Sequence, residues 1–258
     1  MSHSLNEIEA MSKRAARGAG LSWGLAEEAA KGTRWLSSFG FPGTEMLAGL
    51  LTMNDRIPPI DVSPVSLRAE IWHAPARRMS PLIAGAALSD CAVRLLERGR
   101  ITMENVNFPL LAVPFMGGAA LRLGRPVAAE WQGARLATDG KRLCVQGESD
   151  AFLTQLADQM VFSAPADMTG QKEPVMRANV SDESWEQLSQ FAHRTFAPAT
   201  EESRLRGKAQ VSATTIDHPF GVSLSGTLSL YSDEKDRHDC DRNPDPCRNR
   251  RSGLQRLG

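Results

Sequence analysis

The sequence predicts an α+β protein with a helical N-terminal part, a central mostly antiparallel sheet, C-terminal helices and a flexible charged tail. Three observations predict it. Val127, Ala129 and Trp131 alternate with Ala128, Glu130 and Gln132, and Asp139-Gly140 then separates two further short apolar runs. Asp-Gly between such runs is the strongest short hairpin signal, because a type I′ turn needs φ > 0 at both central residues. Apolar residues recur at helical spacing before and after that region. Beyond Gly207 the composition changes, and 12 of the 19 residues from Asp233 to Arg251 are charged.

The first helix opens at Ser4-Leu5-Asn6-Glu7, which has the form of a capping box. Leu5, Ile8, Met11 and Ala15 share a face, and Gly18 and Gly20 end it. Ser22 can cap a second helix with Leu25, Ala29, Leu36 and Phe39 on its apolar face. Gly40-Phe41-Pro42-Gly43 breaks it, and Thr44 starts a third through Leu47, Leu50 and Leu51. Asn54–Pro64 holds three prolines and reads as a connection. Leu67, Ala69 and Ile71 allow a strand, and Ser80-Pro81 opens a helix extending to Gly99. Ile101, Met103 and Val106 predict another strand. Phe108–Met116 reads as a buried strand bounded by Gly117-Gly118, with Pro109 and Pro114 at an edge or bulge. An antiparallel meander from about Val127 to Gln146 follows, then a helix carrying Phe152, Leu156 and Met160. Ala164–Pro174 reads as a linker. Ser181 starts a helix whose face holds Trp185, Leu188 and Phe191, ending before Pro198. Thr200 caps a short successor. Residues 1–207 read as one domain, and residues 208–258 as an atypical tail too polar to offset its ordering entropy.

Composition narrows the function classes. Formal net charge is zero over 258 residues and aromatics make up 6%. There is neither the basic face of a nucleic-acid protein nor a base-stacking platform. No apolar run reaches the roughly 20 residues that span a bilayer, and the first residues lack the form of a signal peptide. The expectation is a soluble cytoplasmic protein, with Cys91 and Cys144 as buried, reduced thiols.

Within the folded part, the densest polar cluster is His193-Arg194 followed by Glu201, Glu202 and Arg204, with Pro198 between. Two arginines at that spacing can hold a carboxylate or phosphate by bidentate hydrogen bonds, with His193 or Glu201 as acid or base. The competing reading is a helix hairpin tied to the fold by ion pairs. Glu27 and Glu28 between Trp23 and Trp35 read better as a solvated face, and Arg77-Arg78 as surface charge. Gly117-Gly118 gives neither a dinucleotide nor a phosphate-loop motif. His238, Cys240 and Cys247 have six residues between the cysteines, wider than the usual zinc spacing of about two to four. No cofactor and no metal are expected.

Several motifs resemble a bacterial family of unknown function, DUF3726. They are Asn6-Glu7 with Ala15-Ala16-Arg17-Gly18-Ala19-Gly20, Trp23-Gly24-Leu25-Ala26-Glu27-Glu28-Ala29, Ala84–Asp90, Gly124–Val127 and Arg194–Arg204. The resemblance covers nearly all of residues 4–207 and implies a chain finishing soon after Gly207, from which the tail departs. It brings no reaction. The N-terminal helices alone also resemble the opening of the type-2 malate/lactate dehydrogenases. That family continues with Asp-Ser-His-Gly, whose His serves hydride transfer. Gly40-Phe41-Pro42-Gly43 stands here instead, so the activity is not implied. Two functions stay open: a protein binding or converting a small polar or anionic metabolite, or a non-catalytic accessory subunit that binds another chain.

Overall fold

The structure, a computed structural model, describes residues 1–196. In chain order the elements are β1 (Ser2–Ser4), α1 (Leu5–Gly18), α2 (Trp23–Ser38), α3 (Gly43–Met53), β2 (Ile71–Trp72), α4 (Pro81–Asp90), α5 (Val93–Arg98), β3 (Arg100–Asn107) and α6 (Val113–Leu123). Then come β4 (Val127–Trp131), β5 (Ala134–Thr138), β6 (Leu143–Gly147), α7 (Ser149–Phe152), β7 (Leu156–Ser163), β8 (Gln171–Lys172), β9 (Arg177–Asn179) and α8 (Asp182–His193). The α+β expectation holds. The helix after Thr200 and the charged tail lie outside the described residues.

Seven strands form one sheet in the order β2-β3-β7-β4-β5-β6-β8, antiparallel throughout except for the β2–β3 pair. The expected meander is its right half. One face carries Val127, Ala129, Leu136 and Phe162 into the main core, beneath α6. On the other face Ala128, Ala137 and Cys144 are cross-strand neighbours packed against Ala166 and Met168. The stretch read as a linker therefore covers the second face and supplies β8. Burial pushes the Cys144 thiol above its ordinary pKa. Cys91, expected buried, is only half-buried.

The Asp139-Gly140 bend is not the expected two-residue type I′ turn. The loop between β5 and β6 has four residues, and Gly140 (φ 91°) adopts positive φ where Asp139 does not. The Asp139 carboxylate instead accepts from the backbone N–H groups of Arg142 (2.8 Å) and Lys141 (2.9 Å). Its side chain replaces one turn's worth of backbone pairing. The two-residue connection is Gln132-Gly133, between the paired Trp131 and Ala134.

Those bonds make a pH prediction. The Arg142 N–H, then the Lys141 N–H and the Arg142 guanidinium, hold the Asp139 carboxyl down at about 2. A pKa depressed by folding stabilises the protein above the unfolded value and loses that contribution as pH falls through the folded value. Asp139→Asn is expected to cost on the order of 1–2 kcal/mol at neutral pH. Its deficit against wild type should vanish between about pH 4 and 2. Urea melts at several pH values check this, and a deficit that persists at pH 2 would contradict it.

Two sequence expectations are corrected. Phe108–Met116 is not a strand: Pro109–Ala112 forms a 3₁₀ turn and α6 begins at Val113. Pro109 and Pro114 each sit in a first helical turn, where no N–H is needed. Gly117-Gly118 therefore lies inside a helix, and Gly118 lets Ser89 of α4 approach, since a Cβ there would lie 2.9 Å from the Ser89 hydroxyl. Leu156 and Met160 stand on β7 rather than a helix, because pairing with β3 and β4 on both sides outweighs their helical spacing. Two smaller differences follow the same logic. The helix expected from Ser80 to Gly99 is broken at Cys91-Ala92, and the strand near Leu67 shrinks to Ile71-Trp72.

The N-terminal helices stack on α8. Ser4 and Glu7 make the expected capping box, with Ser4 N–H donating to the Glu7 carboxylate (2.7 Å) and Glu7 N–H to the Ser4 hydroxyl (3.3 Å). The Ser22 and Ser181 hydroxyls accept from the Leu25 and Ser184 N–H groups and so cap α2 and α8, without the reciprocal bond. Glu27 pairs with Lys13 and Glu28 with Lys31, as surface pairs. Trp185 is half-buried, its ring stacked on His3 at 3.9 Å.

Candidate functional site

Of the expected site residues, His193 and Arg194 are described, and Glu201, Glu202 and Arg204 lie outside the described residues. His193 is exposed at the end of α8, its ring edge against Phe196. Arg194 forms a fork with Asp55, Nη1 to Oδ1 at 2.6 Å and Nη2 to Oδ2 at 3.2 Å, and lies over the Phe191 ring. That hydrogen bond holds the Asp55 carboxyl below its ordinary pKa and raises that of Arg194. The recess beside the pair is small, about 170 Å³. In the described residues Arg194 thus clamps the turn after α3 to α8.

A larger cleft lies on the other side of that turn. Its volume is about 400 Å³, within the roughly 300–1,000 Å³ of small-molecule sites. Leu50 and Leu51 of α3 and Val62 form its floor, and all three are buried.

The first wall is the α1–α2 turn. After Ala19 the chain reverses at Gly20 (φ 93°), where a side chain would be strained. Leu21 N–H returns to the Ala16 carbonyl and Gly20 N–H to that of Arg17, the double bond pattern that closes a helix C-terminus. The Arg17 guanidinium donates to the Leu21 carbonyl and lies 4.3 Å from the Trp23 ring. The turn then presents Leu21 and Leu25 to the cleft.

The second wall is the start of α4. Ser80 N–H donates to the Val62 carbonyl (2.9 Å), and Pro81 occupies the first helical position. Ser80 is only 4% exposed, yet its hydroxyl does not cap the helix and has no hydrogen-bond partner among the described residues. The surface it keeps faces the cleft. The next two N–H groups, of Leu82 and Ile83, likewise find no acceptor among the described residues. They are the orphan donors left at any helix start whose cap makes no bond.

The rim is the segment after α3. Asn54 and Arg56 contribute polar groups there, and Ile57, Pro58 and Pro59 contribute apolar ones. Arg56 adopts φ 62° and makes no ion pair with a described residue. The Asp55–Arg194 fork, one residue before Arg56, fixes where this rim stands.

None of these cleft residues belongs to the cluster expected from sequence. The signals were present but separate: three prolines in Asn54–Pro64, Gly20, and Ser80-Pro81. No local spacing says that the three segments meet. Among the described residues, no three His, Cys, Asp or Glu side chains gather as a metal site, and no helix is long and apolar enough to cross a membrane. The cysteine and histidine residues of the tail lie outside the described residues.

No curated protein matches the sequence. The crystal structure of malate dehydrogenase from Entamoeba histolytica aligns over 85% of this chain and 99% of that chain, at 9% identity and a TM-score of 0.35. The family match is shorter than the stretch over which the resemblance was read, and it takes in the floor, the first wall, the rim and Ser80 of the cleft. Residues 3–80 match the family described as "Protein of unknown function (DUF3726)", and this match supports DUF3726 as the family of the chain.

Proposed function

We propose that the protein binds a small polar or anionic metabolite in the cleft between the α1–α2 turn, the segment after α3 and the start of α4. The cleft itself is the observation that carries this reading: apolar walls with a few convergent polar groups are the usual make-up of a ligand site. On this reading Arg194 is a positioning residue, which sets the rim through Asp55. The reading leaves open whether the bound molecule is also converted.

A thermal-shift screen with small carboxylates and phosphates tests it. A ligand at a hundredfold excess over its Kd stabilises by about 2.7 kcal/mol, which is roughly 5–10 °C for a domain of this size. The rise is expected to vanish in Ile83→Trp, which fills the cleft from a half-buried position. A rise kept in Ile83→Trp but lost in Arg204→Ala would move the site to the C-terminal cluster.

A second reading, an accessory subunit that binds another chain, has its own support. Ile60, Val65 and Ile71 are exposed, and Arg94 and Arg98 of α5 donate to the carbonyls of Leu67 and Arg68. This ties that segment to α5, which carries exposed Val93 and Leu96. Exposed apolar side chains on two segments tied together are what a partner chain would cover. Co-purification with a partner and no response to any metabolite would favour it.

A further inference from the structure

Hydrogen-bond donors without an acceptor gather at one end of the cleft, the start of α4. The Leu82 and Ile83 N–H groups are donors. The start of a 10-residue helix adds the positive end of its dipole. Ser80 brings a hydroxyl that is nine-tenths buried and unpartnered among the described residues. Arg56 brings a guanidinium on the rim, without an ion pair to a described residue. Asp55, the acidic neighbour of Arg56, forks with Arg194 rather than with Arg56. Leu50, Leu51 and Val62 below and Leu21 and Leu25 beside supply apolar surface.

We propose, resting on the reading of the cleft as a ligand site, that its ligand is an amphipathic monocarboxylate. The carboxylate sits on the Leu82 and Ile83 N–H groups and the Ser80 hydroxyl, within the field of Arg56, and the apolar body lies over the leucine floor. An end rich in free donors, with a cation on its rim, favours an acceptor-only head. An ionised carboxylate meets that condition, whereas an amide carries no charge for Arg56 and brings two N–H groups that the Leu82 and Ile83 N–H groups cannot accept. Helix starts favour anions for the same reason. An inorganic anion alone would leave the apolar floor uncovered, which distinguishes this cleft from a simple phosphate site.

The test uses octanoate and octanamide as probes on the full chain, with titration followed by the backbone amide resonances. Octanoate is expected to bind at least about tenfold more tightly than octanamide, since hydrogen bonds to a charged group are worth more than neutral ones. The Leu82 and Ile83 resonances should move with octanoate. Ser80→Ala and the exposed Arg56→Gln should each weaken octanoate severalfold and leave octanamide unchanged. Arg56→Gln keeps the test sound if Ser80→Ala disturbs the fold. Equal affinity for the two probes overturns the carboxylate assignment while the cleft remains a ligand site. Tighter octanoate binding without movement of Leu82 and Ile83 places the head elsewhere and also overturns it. Failure of both probes to bind, with no shift at either residue, overturns the assignment and the cleft reading together.

Discussion

A single methyl group added at Gly18 is expected to lower stability by about 3 kcal/mol, the upper end of what overpacking usually costs. This corresponds to roughly 6–12 °C in melting temperature for a domain of this size. A Cβ built there would lie 1.7 Å from the Phe191 carbonyl oxygen and 2.6 Å from its carbon. These are backbone atoms inside α8, so no rotamer change relieves the overlap. Either α8 lifts from α1 or the last turn of α1 unwinds. Gly24→Ala is the matched control. It stands exposed in α2, with nothing within 4 Å of a new Cβ. Removing a glycine's extra freedom from a helix there should raise stability by roughly 0.5–1 kcal/mol. Thermal melts of both variants check the pair. A Gly18→Ala protein that melts with wild type would mean that α1 and α8 are not in the contact described.

Truncating Phe162 is expected to cost more, about 3–5 kcal/mol for Phe162→Ala. The side chain is fully buried on β7, the strand that joins β3 to the meander. Its cross-strand neighbours are Ile101 on β3 and Ala129 on β4. Ala129 is too small to fill the space from its side, so a cavity would remain and the lost contacts would add to the lost transfer energy. Phe162→Leu should cost distinctly less. Urea unfolding is the measurement, with the midpoint falling and the slope unchanged. A loss below about 1 kcal/mol for the alanine variant would show the centre of the sheet to be loosely packed.

What was legible in the sequence was local. Ser4 and Glu7 announce a helix start by themselves, and so do Ser22 and Ser181, because a cap needs only its own first turn. The meander was legible because alternation at Val127–Trp131 and a turn at Asp139-Gly140 agree. Even there the turn type escaped, since the Asp139 carboxylate does work that the backbone does in a tighter bend. Phe108–Met116 misled because a short apolar run looks the same in a strand and a buried helix. Its prolines are read as breakers unless they happen to sit in a first turn. Leu156 and Met160 have helical spacing, and only their distant partners on β3, Asn107 and Met103, decide for a strand. The Arg194 cluster was legible as a concentration of charge, but not Asp55, 139 residues away, which takes up its one described arginine. The cleft was illegible for a related reason. Its walls come from three separate stretches, and its most telling groups are main-chain amides, which no side-chain motif records.

The contact between α1 and α8 also bears on how the chain is made. About 160 residues separate the end of α1 from the start of α8. At the roughly 5–20 residues per second of synthesis, α1 waits about ten to thirty seconds on the ribosome before its partner emerges. Over that interval the stripe it will bury under α8 faces water or a chaperone. The groove around Gly18 can close only as the last described helix leaves the exit tunnel.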